Sequence, residues 1–166
     1  KKNMAPWGEH HERMVGQATD LVFSGTEDHA HLPREKRGFK RVVTTGLPVK
    51  VPDFKKVRKD NRVVFPHRLA HEKQPTRFRR LVNFIKKRWP GWSCVMTKDL
   101  WDSKDPAGSK LRYYETLASS KIAVSLALQE TFGIAMLEAA ALGCTCIVPD
   151  RLSYQETFQD HIRYSS

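Results

Sequence analysis

Residues 121–150 (KIAVSLALQETFGIAMLEAAALGCTCIVPD) constrain the fold more than any other stretch of the chain. Positions 121–126 are a short apolar run with Ile and Val, which reads as a buried strand. Positions 133–142 are rich in Ala, Leu, Met and Ile, mostly good helix formers. Gly143 suits the residue just past a helix end, and 144–148 (CTCIV) is a second buried strand. Strand, loop, helix and strand make a βαβ unit, so the two strands are parallel and the crossover right-handed. The fold class is therefore α/β, a Rossmann-like parallel sheet with flanking helices. Ligands of such sheets sit beyond the carboxyl ends of the strands, beside helix N-termini. Glu130, Thr131, Phe132 and Gly133 lie at that place.

The chemistry follows from that position. Backbone N–H groups around residues 131–133 have no intrahelical acceptor and carry the positive end of the helix dipole, which makes a cradle for phosphate. Gly133 lets a ligand approach the backbone with no Cβ in the way. Glu138 is the odd residue in the apolar helix AMLEAAAL. A carboxylate buried there needs partners, and the two hydroxyls of a ribose would serve. Glu130 stands near whatever is attached beyond the phosphates.

QETFGIAMLEAAALG with its two strands resembles the E-x7-E segment of the GT-B glycosyltransferases of the large group 1 family (family 4). Spacing alone does not single it out, since Glu27 and Glu35 stand equally far apart. The context does: T-F-G after the first Glu, E-A at the second, A-L-G closing the helix, then a strand. The resemblance implies that Glu130 contacts the donor sugar and that Glu138 binds the ribose of a nucleotide sugar.

A second segment extends the likeness. Residues 62–65 (RVVF) read as the first strand of a second unit, and Pro75 suits the first turn of the helix after it. Phe78, Leu81, Val82 and Ile85 form that helix's apolar stripe, with Arg77, Arg79, Arg80, Lys86, Lys87 and Arg88 largely elsewhere on it. The loop between, FPHRLAHEKQP, resembles the family's G-R-x-x-x-x-K segment, in which the Arg and the Lys grip the donor diphosphate. They correspond to Arg68 and Lys73. A nucleoside diphosphate leaves with extra negative charge, and two cations plus a helix N-terminus stabilise it. The loop departs from the usual pattern, because Pro66-His67 replaces a small residue and Gly, and Pro75 stands near the Lys. Such PHR…EK loops resemble those of family members that modify nucleic acids, of the tRNA-queuosine mannosyltransferase and viral DNA glycosyltransferase types.

Elsewhere the pattern is coarser. A helix is expected over 9–19 with His10, Met14 and Ala18 on one stripe, a strand over 20–24, a short helix over 27–36 broken by Pro33, and a strand over 41–45. Residues 92–97 read as a strand, 98–110 as a polar loop, 111–119 as a helix, and 153–159 as the start of another helix. The resemblance divides the chain into the end of an N-terminal acceptor-side domain (1–48), a linker (49–60) and a truncated donor-binding domain (61–166). The chain starts with Lys-Lys and ends at IRYSS, so a piece of a longer protein, inactive alone, is expected.

Charge is unevenly placed. Positions 34–88 hold 19 Lys/Arg against 4 Asp/Glu, and the rest of the chain 10 against 14, within a net charge of +11. Solvated helix faces account for many such runs, but this asymmetry favours an anionic partner: a nucleic acid, a phospholipid surface or a nucleotide diphosphate. No apolar run reaches the length of a membrane-spanning helix, and no signal peptide is visible. Cys94, Cys144 and Cys146 are too few and too apolar in setting for a disulfide framework or zinc site, which points to the reducing cytoplasm. His29-x-His31 and His67/His71 lack further ligands at metal-like spacing, and no D-x-D is present, so neither metal nor cofactor is expected.

The function expected from the resemblance is transfer of a sugar from a nucleotide-sugar donor to an acceptor hydroxyl, metal-independent and with retention. Arg68, Lys73 and Glu130 are the candidate catalytic residues, and these three with Thr131, Phe132, Gly133 and Glu138 the donor-binding set. The acceptor is a nucleic acid or another anionic molecule. Two alternatives stay open: a nucleotide-sugar epimerase of the same fold, and a nucleic-acid-binding protein that uses the basic 34–88 segment.

Overall fold

A computed structural model describes residues 6–54 and 57–165. The chain divides into two compact units with the boundary between Pro48 and Val49.

The first unit is a small βαβ fold: helix α1 (Pro6–Ala18), strand β1 (Val22–Ser24), helix α2 (Glu27–Lys36) and strand β2 (Val42–Thr44), with the two strands parallel. Thr26 caps α2 by accepting the His29 N–H at 3.2 Å, the usual role of a hydroxyl at that position. Two expectations are corrected here. Pro33 does not break α2, which runs through it to Lys36. The carbonyl left without a helical donor is that of His29, an exposed residue that water can reach. The stripe of His10, Met14 and Ala18 is exposed, and Gly16 is buried. A Cβ at Gly16 would meet the Arg37 carbonyl at 2.9 Å. The buried Arg37 guanidinium binds Glu12 at 2.6 Å and Glu9 at 3.3 Å. Among the described side chains, close backbone approach and an ion-pair cluster hold α1.

The second unit is built on a five-stranded parallel sheet of β3 (Asp60–Phe65), β4 (Ser93–Met96), β5 (Ser120–Val124), β6 (Thr145–Pro149) and β7 (Ile162–Tyr164). The spatial order is β4-β3-β5-β6-β7. The chain steps from β3 out to β4, then crosses back to place β5 on the other side of β3. Strand order thus reverses between β3 and β5, and their carboxyl ends flank the crevice where ligands of such sheets bind. This α/β sheet with helices on both faces is the class expected from the sequence.

Side-chain alternation along the strands separates two cores. Val63, Phe65 and Val124 face helix α3 (Pro75–Arg88) through Phe78 and Ile85, with Leu81 and Val82 partly buried beside them. Burying Phe78 and Ile85 contributes roughly 1.5–3 kcal/mol each. Val64, Ala123, Cys146 and Val148 face helices α4 (Pro106–Ser119), α5 (Ile134–Ala141) and the single turn α6 (Tyr154–Thr157) through Leu117, Met136, Ala139, Tyr154 and Phe158. Val51 and Phe54, in the stretch expected as a linker, pack against this second core. The Lys59 ammonium donates to the Leu142 carbonyl at 2.7 Å and the Leu117 carbonyl at 3.5 Å, where a cation complements helix C-termini. Lys55 and Lys56 of the same stretch lie outside the described residues.

Three further corrections concern element ends. Helix α4 starts at Pro106, inside the expected polar loop, because Asp105 caps it by accepting the Gly108 N–H at 2.9 Å and proline fits the first helical position. Residues Thr97–Leu100 form a 3-10 turn. The helix expected after Ser153 stops after one turn, and β7 follows as a short edge strand. Among the described residues no helix is long and apolar enough to cross a membrane.

Gly133 (φ +86°) precedes α5, and Gly143 (φ +81°) follows it. A Cβ at Gly133 would lie 2.7 Å from the buried Tyr154 ring, whereas one at Gly143 would meet only the flexible end of Lys59 at 3.4 Å. Gly143→Ala should therefore lower stability by about 1 kcal/mol, the strain of the left-handed backbone. Gly133→Ala adds overpacking and should cost about 3 kcal/mol in all. Urea unfolding of the two variants checks the difference, and equal losses would show that Tyr154 yields.

Candidate active site

At the carboxyl end of β3 the chain turns through Pro66, His67 and Arg68 into a 3-10 turn, His71–Lys73, and then α3. At the carboxyl end of β5 it runs through residues 125–132 to α5. The two loops are joined by the Leu128 N–H donating to the Glu72 carbonyl at 2.7 Å. Lys73 completes the junction from within. Its side chain is 11% exposed, and its ammonium donates to the Gln129 carbonyl at 2.6 Å and to Glu130 Oε2 at 2.9 Å. Glu130, 14% exposed, also accepts the Thr131 N–H at 3.1 Å and the Tyr154 hydroxyl at 3.4 Å. Burial disfavours the charge on Glu130, but the hydrogen bond and charge of Lys73 outweigh it and hold the carboxyl below its ordinary value.

Gly133 begins α5 with no side chain capping that end. Phe132 and Gly133 are buried, and Thr131 is exposed. The close approach that makes Gly133 necessary is that of the protein's own Tyr154 ring. Tyr154 also hydrogen-bonds Ser125 at 2.9 Å, and burial pushes its phenol pKa up. It keeps the 125–133 loop in register with Glu130.

Glu138, also buried, is satisfied by the protein itself. Tyr113 donates to its Oε2 at 2.6 Å, Tyr114 to its Oε1 at 2.8 Å, and the Lys110 ammonium lies 3.5 Å from Oε1. The burial of this carboxylate therefore requires no ribose. Lys110, Tyr113 and Tyr114 share one face of α4 at spacings of three and four, and Lys110 also sits over both tyrosine rings at 5.1 and 4.6 Å. Sequence reasoning missed this set because it placed Lys110 in a loop. The Asp105-Pro106 start signal was the clue.

Glu138 and Arg68 line one cleft of about 270 Å³, with Pro66, His67, Thr97, Lys98, Trp101, Ser109, Lys110 and Tyr113. Arg68 is the exposed member and binds Glu72 through Nε at 3.2 Å and Nη2 at 2.7 Å. The structure thus brings Lys73 together with Glu130, and Arg68 together with Glu138. It does not place Arg68 and Lys73 on a common partner. His67 connects the two groups, lining the cleft while feeling the charges of Lys73 and Glu130. Its Nε2 is buried without a hydrogen-bond partner. Burial, with the Lys73 charge, lowers its pKa to about 4. Among the described residues no three His, Cys, Asp or Glu side chains gather as metal ligands.

Comparison with known proteins bears on the fold that carries these residues. No family model matches the chain. In sequence it is similar to the tRNA-queuosine alpha-mannosyltransferase of Drosophila melanogaster, 28% identical over an alignment of 121 residues that covers 63% of this chain and 32% of that protein. In structure it is similar to the pneumococcal O-GlcNAc transferase GtfA in complex with UDP and GlcNAc, with a TM-score of 0.70 and 16% identity over 94% of this chain and 36% of that one. It is likewise similar to S. aureus TarM in a complex containing UDP, with a TM-score of 0.71 and 13% identity over 99% of this chain and 38% of that one. The chain spans about a third of the length of each. The fold is that of part of the GT-B glycosyltransferases.

Two stability predictions follow from the buried charges. Removing Lys73 alone strands the Glu130 carboxylate, so Lys73→Met should cost about 3 kcal/mol, and adding Glu130→Leu should recover part of it, read by urea unfolding. A larger loss in the double variant would mean that the pair stabilises beyond its desolvation. His67 binds its proton more weakly folded, at a pKa of about 4, than unfolded, at 6.5. Between those pH values the unfolded chain holds more protons, so stability falls as pH falls, by on the order of 3 kcal/mol. The Glu130 contribution is complete above its unfolded value of 4.5 and is lost only as pH drops through its lower folded value. His67→Gln should flatten the pH dependence of the unfolding midpoint above pH 4.5, and an unchanged slope would mean that His67 is not the group titrating.

Proposed function

We propose that this chain forms most of the donor-binding half of a glycosyltransferase that moves a sugar from a nucleotide to an acceptor hydroxyl. The observation that carries the reading is the convergence, at the point where strand order reverses, of a buried Lys73–Glu130 pair with an α5 N-terminus that no side chain caps. That the sequence relative and the structural neighbours are glycosyltransferases supports it. On this reading residues 1–48 end an acceptor-side domain, 49–60 are the passage between domains, and 61–166 bind the donor.

The donor's diphosphate would lie against the backbone N–H groups at Phe132 and Gly133, where the helix dipole favours an anion, next to Thr131, whose own N–H is taken by Glu130. An ammonium has three N–H donors, and two of those on Lys73 are used within the protein. The third is left for a phosphate oxygen. Arg68 binds Glu72 through Nε and Nη2, which leaves Nη1 for the same ligand. In the reaction the bond from the sugar's anomeric carbon to the phosphate oxygen breaks, and a bond from that carbon to the acceptor oxygen forms. The acceptor proton goes to the leaving phosphate. Charge builds on the diphosphate as the bond opens, and the two cations and the helix end act on it there.

Glu130, fixed by Lys73, Tyr154 and the Thr131 N–H, would position the donor sugar. Glu138 would take a ribose hydroxyl on the acceptor capacity its tyrosines leave over, or in place of Tyr113 at the cleft wall. The exposed Trp101 indole on the same wall offers a plane for the base. Transfer is read as retaining, and as relying on these fixed cations in place of a divalent ion. The three free cysteines suit a cytoplasmic setting. A nucleic-acid acceptor is favoured by the tRNA named in the relative's activity and by the net charge of +11.

Isothermal titration of the full-length protein with UDP and GDP tests the donor site. One of them should bind, and Arg68→Ala should weaken it tenfold or more while leaving the melting temperature in place, because Arg68 is exposed. A full-length protein that binds no nucleoside diphosphate sinks the assignment.

A further inference from the structure

Helix α3 turns to solvent a face that neither the sheet nor the donor crevice uses. Arg77, Arg79, Arg80, Lys86, Lys87 and Arg88 are all exposed. Among the described residues none of the six is in an ion pair. The helix contains no acidic residue (PTRFRRLVNFIKKR). An ordinary solvated helix face mixes signs at spacings of three and four. The last-turn cations Lys86, Lys87 and Arg88 suit the helix dipole, but Arg77, Arg79 and Arg80 in the first half oppose it. Within this charge lie two large aromatics, Phe84 at 59% exposure and Trp89 at 49%, with ring centroids 5.8 Å apart. Arg80, Asn83, Phe84 and Lys87 follow each other at helical spacing along the outermost stripe.

We propose that this face docks a single-stranded segment of an RNA acceptor, with cations along its phosphates and an unpaired base against the Phe84–Trp89 pair. The proposal rests on the transferase reading for its biological setting, not for its chemistry. Interleaved cations and aromatics are what sequence-tolerant binding to single strands requires. A lipid surface fits less well, because the apolar stripe of α3 is already spent on the sheet and two rings are too little to insert. The placement also serves transfer. Helix α3 begins two residues after Lys73 and, at 14 residues, runs about 21 Å away from the crevice. A strand held along it can present its modified nucleotide at the donor end.

The test uses the full-length protein, fluorescence anisotropy with a labelled unstructured RNA oligonucleotide, and titration with the nucleoside diphosphate that binds the wild type. Arg80→Glu combined with Lys87→Glu should weaken RNA binding at least tenfold. It should also reduce the slope of log affinity against log salt by about 1.4, two single-strand phosphate contacts. Phe84→Ala combined with Trp89→Ala should weaken binding about tenfold with the slope unchanged, as loss of stacking does. Both variants should bind the diphosphate normally and melt near the wild-type temperature. RNA affinity unaffected by the charge reversal overturns the proposal, and so does a wild type that binds phosphatidylserine vesicles but not RNA. A wild type that binds RNA through this face but no diphosphate supports the docking surface and overturns the donor site instead.

Discussion

The ion pair between Lys73 and Glu130 is the contact on which the crevice depends. It is formed by two loops 57 residues apart in sequence, each leaving a different strand at the point where strand order reverses. Neither loop has a regular element to hold it there, apart from a 3-10 turn of three residues. A buried charge pair contributes little net stability, because desolvation consumes most of the attraction. Its value lies in geometry: a lysine side chain that is 11% exposed accepts few other positions, and both the Gln129 carbonyl and the Leu128 N–H close on the same turn. The carboxylate is then fixed against the Thr131 N–H ahead of α5 by contacts within the protein, so little reorganisation is left for the binding of a ligand.

Glu138 is fixed by a different means, two phenols and a lysine from one face of α4. The site is thus two carboxylates, each with its own protein partners, on either side of His67. This changes the reason for expecting a ligand at Glu138. Its burial alone is explained by Tyr113 and Tyr114, and what points to a ligand is the open cleft that Glu138 shares with Arg68 and Trp101.

The parallel sheet, helices α3 and α5, and the placing of Glu130 beside a helix start were legible because periodicity and end signals act locally. Ile122, Ala123 and Val124 form an unbroken apolar run in β5, Gly143 closes α5 in the left-handed region, and Pro75 opens α3. What stayed hidden depends on distant partners. What holds α1 was not legible because Gly16 packs by absence of a side chain and Glu9 and Glu12 bind Arg37, none of which an apolar count registers. The tyrosines around Glu138 were missed because one helix start was placed five residues late. Gly133 was read as room for a ligand, whereas a Cβ there would strike Tyr154, more than twenty residues on. Strand β7 is three residues long with a charged centre, Ile-Arg-Tyr, and only its pairing with β6 identifies it.

On the proposed donor-binding reading, the loop that departs most from the G-R-x-x-x-x-K pattern also says where an anion would have to be held. A small residue and Gly before the Arg leave backbone N–H groups open to phosphate, whereas Pro66 has no N–H to offer and the His67 ring is packed edge-on to Phe65 at 5.1 Å. At neutral pH that ring is uncharged, with a pKa near 4, so it adds no cation. The start of the 66–73 loop therefore gives an anion neither an amide nest nor a charge. What remains is the free nitrogen of Arg68, one N–H of Lys73 and the N-terminus of α5, all set by contacts within the protein. Because α5 has only eight residues, its dipole acts mainly through those terminal amides. On the proposed reading, the fixed position of Lys73 beside them decides whether a diphosphate is held.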